Sequence, residues 1–244
     1  MLISKKGSVS KVRYVIKFTK GEEIKFISHL DLMRTIQRVI RRSQIPVEYS
    51  KGFNPHMSLS IAQPLSVGVC SEGEYLDLVL TEEMNGEDVV KALNEASPQT
   101  IRFIWAKGIE LIPNVKRLPQ AMALLDGARY TIKVKLNSEE SVSDKLNTVL
   151  SENDWDIIKK SKKGEKEVNI KPFVKEFKYW VKDGVLVINT LIATGSRENL
   201  SADLLVTYLS NKIDNINKDA FVNIKREEMY ILKNNKYVPL YKGI

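Results

Sequence analysis

The order of strand-like and helix-like segments is the feature that most limits how this chain can fold. Residues 12–18 alternate apolar and polar side chains, which is the period-two pattern of a half-buried strand. The next segments are, in order, a helix from Ser28 to the turn before Pro46, strands at 57–62 and 74–81, a helix at 85–96 and a strand at 101–106. The order βαββαβ predicts a ferredoxin-like domain over residues 1–108.

The second half of the chain repeats the order of segments without repeating the sequence. Its patterns predict strands at 130–136, 155–158, 168–180, 185–193 and 222–231 and helices at 142–150 and 200–213. We therefore predict an α+β protein of two tandem ferredoxin-like (βαββαβ) domains with antiparallel sheets. The second domain covers 128–244 with an extra strand, and a linker covers 109–127.

The charged residues are unevenly distributed along the chain. Residues 1–60 hold 12 Lys and Arg against 4 Asp and Glu, whereas residues 61–108 hold 3 against 8. A basic opening followed by an acidic stretch favours an anionic partner on one side of the protein. Over residues 109–244, where 23 basic residues stand against 18 acidic ones, an ordinary lysine-rich surface is the alternative explanation.

Several classes of protein are poorly supported by the sequence. The single cysteine, Cys70, excludes an intramolecular disulfide and a cysteine-based zinc site, which fits a reducing cytoplasm. There is no signal-peptide pattern and no apolar run near the roughly 20 residues of a membrane span, so we expect a cytoplasmic protein without membrane association. No phosphate-loop, GxGxxG, GxSxG or HExxH motif is present, and we expect no cofactor.

The helix that begins at Ser28 has the most specific local signals. The Ser28 hydroxyl is placed to cap free backbone N–H groups, with Asp31 at the third helical position as in a capping box. The predicted buried stripe is Leu30, Met33, Ile36, Val39 and Ile40, and the opposite face has Arg34, Arg38, Arg41 and Arg42. These arginines predict contacts with phosphates, and the alternative is ion pairing with the acidic region 72–95.

Both histidines belong to this region of the chain. His29 opens the helix, where the positive end of the helix dipole favours a neutral imidazole that acts as a base or donates to a phosphate oxygen; the alternative is a histidine that only packs or caps. His56 ends the loop Ser50-Lys51-Gly52-Phe53-Asn54-Pro55-His56. Phe53 is either a core anchor, which we favour, or an exposed platform for a base. His29, His56, Cys70 and Asp31 lack metal-ligand spacing, so no metal is predicted.

A common pocket is predicted for the polar residues of the helix start and the loop, namely Ser28, His29, Lys51, Asn54 and His56. A polar loop of this length has little structural reason to hold Asn, His and Lys together. The pocket depends on the strand pairing. If residues 57–62 pair with 74–81, as we favour, the 50–56 loop lies at the end of the sheet opposite His29, unless residues 47–49 cross the sheet. If residues 47–49 are themselves the second strand, the 50–56 loop is the hairpin beside His29.

Four short motifs together resemble one protein family. They are Phe26-Ile27-Ser28-His29-Leu30-Asp31 with Arg34, Gly52-Phe53-Asn54-Pro55-His56, Pro64-Leu65 with Gly68, and Glu74-Tyr75-Leu76-Asp77. They resemble the radical-SAM-linked protein family, the domain of unknown function 2344, here in its stand-alone form. In that family the domain occurs alone or as the tail of a B12-binding-type radical-SAM protein, often encoded near an E/G-type ribonuclease and ribosomal proteins. Lacking a CxxxCxxC triplet, this chain cannot itself hold the iron-sulfur cluster of a radical-SAM enzyme.

Together these observations predict an accessory protein that binds RNA, or presents an RNA substrate to a radical-SAM enzyme, in RNA- or ribosome-related metabolism. The predicted RNA- or anion-binding residues are Ser28, His29, Arg34, Arg38, Arg41, Arg42, Lys51, Phe53, Asn54 and His56. One alternative is a metal-independent endoribonuclease similar to the CRISPR repeat-processing ribonucleases, with His29 as the base and His56 as the second catalytic candidate. Another is a protein adaptor that docks through the acidic region and Met122–Leu125.

Overall fold

The computed structural model describes residues 11–109, 118–161 and 164–244. The protein is α+β and its strands pair mostly antiparallel, which confirms the predicted class. The chain divides into two compact units, Met1–Val67 with Gly73–Ala123 and Gly68–Glu72 with Leu124–Ile244. Within the described ranges, no helix is long and apolar enough to cross a membrane.

The first unit contains a sheet with two helices on one face. Its strands are ordered β4-β1-β3, and β2 pairs with the outer edge of β3. The bounds are β1 Val12–Lys20, α1 His29–Ser43, β2 Leu59–Ile61, β3 Val69–Leu80, α2 Gly86–Ala96 and β4 Phe103–Ile109, with a single 3-10 turn at Glu22–Ile24. A short helix, α3, follows at Ala121–Leu124.

The core of this unit lies between the sheet and its helices. Alternation along β1 turns Tyr14, Ile16 and Phe18 to one face, where they are buried together with Ile36 of α1 and Leu78 of β3. Burying one face in this way leaves the residues in between on the opposite face of the sheet.

Two segments pair with the same part of β3, and the chain makes a loop between them. Val47 forms an isolated bridge with Leu80, and Leu59 of β2 pairs with Leu78. A second bridge, between Tyr49 and Met57, closes the loop of residues 50–56. The favoured pairing of the strand near 57–62 with the strand near 74–81 is therefore confirmed. The loop leaves the edge strand partway along its length.

The second unit contains a larger sheet with the strand order β10-β5-β9-β8, and β11 pairs with β10. The start of β3, whose residues 68–72 belong to this unit, pairs with β10 in parallel. A separate two-stranded sheet contains β6 and β7. The bounds are β5 Gly127–Lys135, α4 Val142–Ser151, β6 Asp156–Ser161, β7 Gly164–Asn169, β8 Val174–Lys182, β9 Val185–Ala193, α5 Ala202–Lys212, β10 Asn223–Lys233, β11 Lys236–Pro239 and α6 Leu240–Gly243.

Some sequence predictions in this half were wrong. The strand predicted at 168–180 is two strands separated by a 3-10 turn at Lys171–Phe173, because Pro172 cannot donate to a ladder. The chain turns at Asp183-Gly184 between β8 and β9, where both residues have positive φ, 51° and 70°, as a tight hairpin requires. Part of the predicted linker, residues 110–117, lies outside the described ranges.

Candidate functional site

Helix α1 begins as its sequence predicts. The Asp31 backbone N–H donates to the Ser28 hydroxyl at 3.2 Å, and this hydroxyl donates to the Asp31 carboxylate at 2.7 Å. The Ser28 hydroxyl is the main cause that lowers the pKa of the Asp31 carboxyl below its ordinary value; desolvation opposes it, and the neighbouring Arg34 guanidinium adds to the lowering. The carboxylate also suits the positive end of the helix. The N-cap is therefore an ordinary, well-satisfied one.

The exposed face of α1 differs from the prediction at one residue. Leu30, predicted on the buried stripe, is 63% exposed, and the buried position is taken by Leu32. At about 100° per residue, Leu30 lies within about 80° of Arg34, Arg38 and Arg41 around the helix. These four residues form an exposed row, named the α1 row below.

The predicted arginines fall into two groups according to their contacts. Arg34 pairs with Asp31 at 3.1 Å, and Arg42 donates to the Ala96 carbonyl from Nε at 3.2 Å and from Nη2 at 2.7 Å. Arg42 therefore donates hydrogen bonds to the C-terminal end of α2 rather than forming an ion pair. Arg38 and Arg41 are exposed and form no hydrogen bond or ion pair with any residue in the described parts of the chain.

The loop of residues 50–56 is exposed along its whole length. Its ends are held by two hydrogen bonds between Ser50 and His56: one from the His56 N–H to the Ser50 hydroxyl at 2.9 Å, and one from the Ser50 N–H to the His56 carbonyl at 2.8 Å. Phe53 is fully exposed at 106%, so its predicted role as a core anchor is wrong. Lys51, Phe53 and Asn54 form a polar tip with one unburied aromatic ring.

His29 is half-buried in the first turn of α1. Its Nδ1 atom is buried and has no hydrogen-bond partner within the described ranges. A histidine that acts as a base is usually oriented through its second ring nitrogen by an acceptor. Such an acceptor is not supplied by the residues described around His29.

A polar cleft of about 440 Å³ lies on the sheet of the first unit. Residues of β1, the 50–60 segment, β3 and the chain before α3 line it: Arg13, Ser50, His56, Met57, Ser58, Leu59, Ser60, Asp77, Val79 and Gln120. Sequence reasoning did not select Arg13 or Asp77. The available signal was their placement, since each alternates with core residues in a strand and thus faces away from α1.

The Arg13–Asp77 pair is buried but incompletely bonded. Their side chains are 13% and 4% exposed, and Arg13 Nε lies 3.5 Å from Asp77 Oδ1, which is too long for a good hydrogen bond. Asp77 Oδ2 accepts from the Ala121 N–H at 2.8 Å. Arg13 Nε and Nη2 and Asp77 Oδ1 have no hydrogen-bond partner in the described structure. Burial raises the pKa of the Asp77 carboxyl, although the Ala121 N–H and Arg13 act in the opposite direction.

The two histidines do not line the same cleft. The cleft that His56 lines also contains Arg13 and Asp77, which face away from the core. Helix α1, which begins at His29, packs on the core side, against residues such as Leu78. Ser28, His29, Lys51 and Asn54 are not among the lining residues, so of the five residues predicted to share a pocket only His56 lines this cleft.

No group of three or more His, Cys, Asp or Glu side chains with the geometry of a metal site occurs within the described residues. Cys70 lies in the part of β3 that pairs with β10. Asp31 is occupied by Ser28 and Arg34. The four residues considered from the sequence as metal ligands are therefore not gathered into one cluster.

The features above define an α+β protein with an exposed basic helix, an exposed polar loop and a cleft that contains a buried Arg13–Asp77 pair. The chain belongs to the family described as an uncharacterised protein conserved in bacteria, the domain of unknown function 2344, whose model matches residues 13–202. This confirms the resemblance to the domain of unknown function 2344 that was read from the motifs. A comparison with curated proteins found no match.

The solved structures similar to this chain include the following two. One is a chain of a Cbf5-Nop10-Gar1 complex, with a TM-score of 0.49 and 12% identity over 88% of this chain and 48% of that chain. This chain thus spans about half of its length. The other is an unknown protein from Galdieria sulphuraria, with a TM-score of 0.26 and 10% identity over 89% and 98% of the two chains. At these values the similarities do not indicate what this chain binds.

Proposed function

We propose that the protein binds single-stranded RNA through the α1 row and the 50–56 loop. The observation on which this rests is the pair Arg38 and Arg41, which are exposed on one helix face without an internal partner in the described structure. A guanidinium that is not engaged within the protein is available to a phosphate. Phe53 adds an exposed ring of the kind on which bases stack.

Binding is better supported than cleavage. The nuclease alternative needs His29 held in one orientation as a base, and its buried Nδ1 has no acceptor among the described residues. His56, the second catalytic candidate, lines the cleft on the sheet, and His29 is not among the lining residues of that cleft. The arginines also do not form ion pairs with the acidic region 72–95 in the described structure. Arg42 donates to a backbone carbonyl, and Arg38 and Arg41 bond no carboxylate there.

Two finer statements belong to this proposal. The first is that both units are ferredoxin-like. Its support is the order of the strands, β4-β1-β3-β2 in the first unit and β10-β5-β9-β8 in the second, where β6 and β7 are an insertion. The protein serves as an accessory to a radical-SAM enzyme, for which the support is the family resemblance of the motifs. Copurification of such an enzyme with the tagged protein from its own cells tests this second statement.

The RNA-binding proposal is tested by reversing the charge of the unpaired arginines. Arg38→Glu with Arg41→Glu should weaken binding to a single-stranded oligonucleotide and lower the slope of log affinity against log salt, by roughly 0.7 for each lost phosphate contact. Titrations at several salt concentrations measure both quantities. The melting temperature should stay nearly unchanged, because neither guanidinium is engaged in the described structure.

The matched control places the same charge change in the second unit, at the exposed residues Lys178 and Lys182 of β8. This control variant should bind RNA with nearly the wild-type salt slope. An equal loss in both variants would mean that binding follows total charge alone. An unchanged slope in the α1 variant would remove α1 from the binding surface.

A further inference from the structure

The Arg13–Asp77 pair is the most unusual group of side chains in the described structure. Polar groups buried in proteins nearly always have hydrogen-bond partners, and here three atoms of two charged residues have none. The Asp77 side chain is 96% buried, since its exposed fraction is 4%, and both residues line the cleft. Unsatisfied groups of this kind, held in a cleft, are typical of sites that are completed by a ligand.

The charges of the pair limit the chemistry of this ligand. The Asp77 carboxylate would repel an anion in the cleft, and the Arg13 guanidinium would repel a cation. A neutral group avoids both conflicts. Arg13 Nη2 and Nε require an acceptor, while Asp77 Oδ1 requires a donor. The ligand therefore presents an acceptor and a donor side by side on one edge.

The walls of the cleft limit the shape of the ligand. Val79 lies two residues from Asp77 on the same face of β3 and supplies apolar surface beside the pair, while Ser60, which pairs with Asp77 across the two strands, and Gln120 add polar groups. The volume of about 440 Å³ lies within the range of about 300–1,000 Å³ that small-molecule sites occupy. A cleft on the face of a sheet, with an apolar residue beside the polar pair, suits a flat ring.

We infer that this cleft binds a nucleobase, which presents its donor to Asp77 and its neighbouring acceptor to Arg13. Carboxylates accept from base amino groups and arginines donate to base oxygens and nitrogens in known protein–nucleic acid contacts. The inference rests on the proposed RNA binding for the source of the base. It extends that proposal, because none of the α1 row lines the cleft.

The test is calorimetric titration of the full chain with adenosine, guanosine, cytidine and uridine. At least one nucleoside should bind, and Asp77→Asn should weaken its binding by about tenfold or more, because a donor then faces the donor of the base. Asn still accepts from the Ala121 N–H through its oxygen, so the fold should be kept. Asp214→Asn, at an exposed carboxylate of the second unit, is the matched control and should bind as wild type does.

A second arm leaves the protein unchanged. The bound nucleoside is replaced by an analogue in which methyl groups replace every hydrogen on the donor nitrogen, and this analogue should not bind. A third arm distinguishes the sources of the base: short single-stranded homopolymers should compete with the nucleoside if the base comes from RNA, and should not if the ligand is a free nucleoside. Arg38→Glu with Arg41→Glu should weaken only the binding of the homopolymers, so failure of the α1 surface and failure of the cleft give different results.

If no nucleoside or homopolymer binds the folded wild type, or if Asp77→Asn binds the nucleoside equally well, the inference is wrong.

Discussion

At the scale of single residues, the structure separates side chains that are satisfied by the protein from those that are not. Ser28 and Asp31 hydrogen-bond to each other, and Arg42 donates to the carbonyl of Ala96 at the end of α2. Arg13 and Asp77 are buried without full hydrogen bonding. Burying a charge without complete compensation is unfavourable for the folded state, so this pair lowers stability where it stands. Its presence is easier to explain by binding than by folding.

The pH dependence of stability should reveal this cost. Burial raises the pKa of the Asp77 carboxyl, so the protonated carboxyl stabilises the folded state relative to the ionised one. This stabilisation is fully present below the unfolded pKa and is lost as pH rises through the folded pKa. Asp77→Asn cannot ionise. The free energy of unfolding of this variant, relative to wild type, should therefore increase between about pH 3 and about pH 7, as measured by denaturant titration.

Asp31 provides the comparison of opposite sign. Its pKa is lowered, chiefly by the Ser28 hydroxyl, so the ionised carboxylate contributes stability above its unfolded pKa, and that contribution is lost on acidification. Relative to wild type, Asp31→Asn should therefore become less stable as pH rises over the same interval. The same trend in both variants would show that the Asp77 carboxyl is not held in an unfavourable environment.

At the scale of elements, local chemistry made parts of the fold readable from the sequence. The cap at Ser28 and the stop before Pro46 are interactions between near neighbours, and α1 occupies His29–Ser43 as expected. The assignment of Leu30 was wrong because, at about 100° per residue, Leu30 lies nearly opposite Leu32 and Val39 and on the side of the arginines. The exit of the 50–56 loop from the edge strand was not predicted, since it depends on the pairing of two segments with β3.

The start of α1 should be more sensitive to substitution than the start of α4. Ser28 accepts from the backbone N–H of Asp31, whereas Ser141, the N-cap residue of α4, has φ of 57° and makes no side-chain cap. Ser28→Ala should lower the free energy of unfolding by about 1 kcal/mol, the usual cost of a lost cap. Ser141→Ala should change it much less. Denaturant titration of both variants measures the difference, and equal effects would show that the cap at Ser28 contributes little.

At the scale of the whole molecule, the long strand β3 contributes to both compact units. Residues 68–72 belong to the second unit, and Val69 pairs in parallel with Ile224 of β10, more than 150 positions away in the sequence. Such a contact leaves no local signal, because neither segment's own pattern specifies its partner. This is why the sequence predicted a loop at 64–73 where the strand begins at Val69. The period-two pattern of Glu74–Thr81 was enough to predict only the rest of β3.

This division of β3 predicts two levels of protection from hydrogen exchange in a fragment of residues 1–123. The buried hydrophobic core of the first unit comes from within this fragment, so the fragment should fold cooperatively. The amides of Leu76–Leu80 should stay protected, because β2 and the segment at Val47 still pair with them. The amides of Val69–Ser71 should exchange much faster than in the full chain, because their partners in β10 are missing. Equal protection of both segments in the fragment would mean that β10 does not order the start of β3, and loss of protection throughout would mean that the first unit requires the second in order to fold.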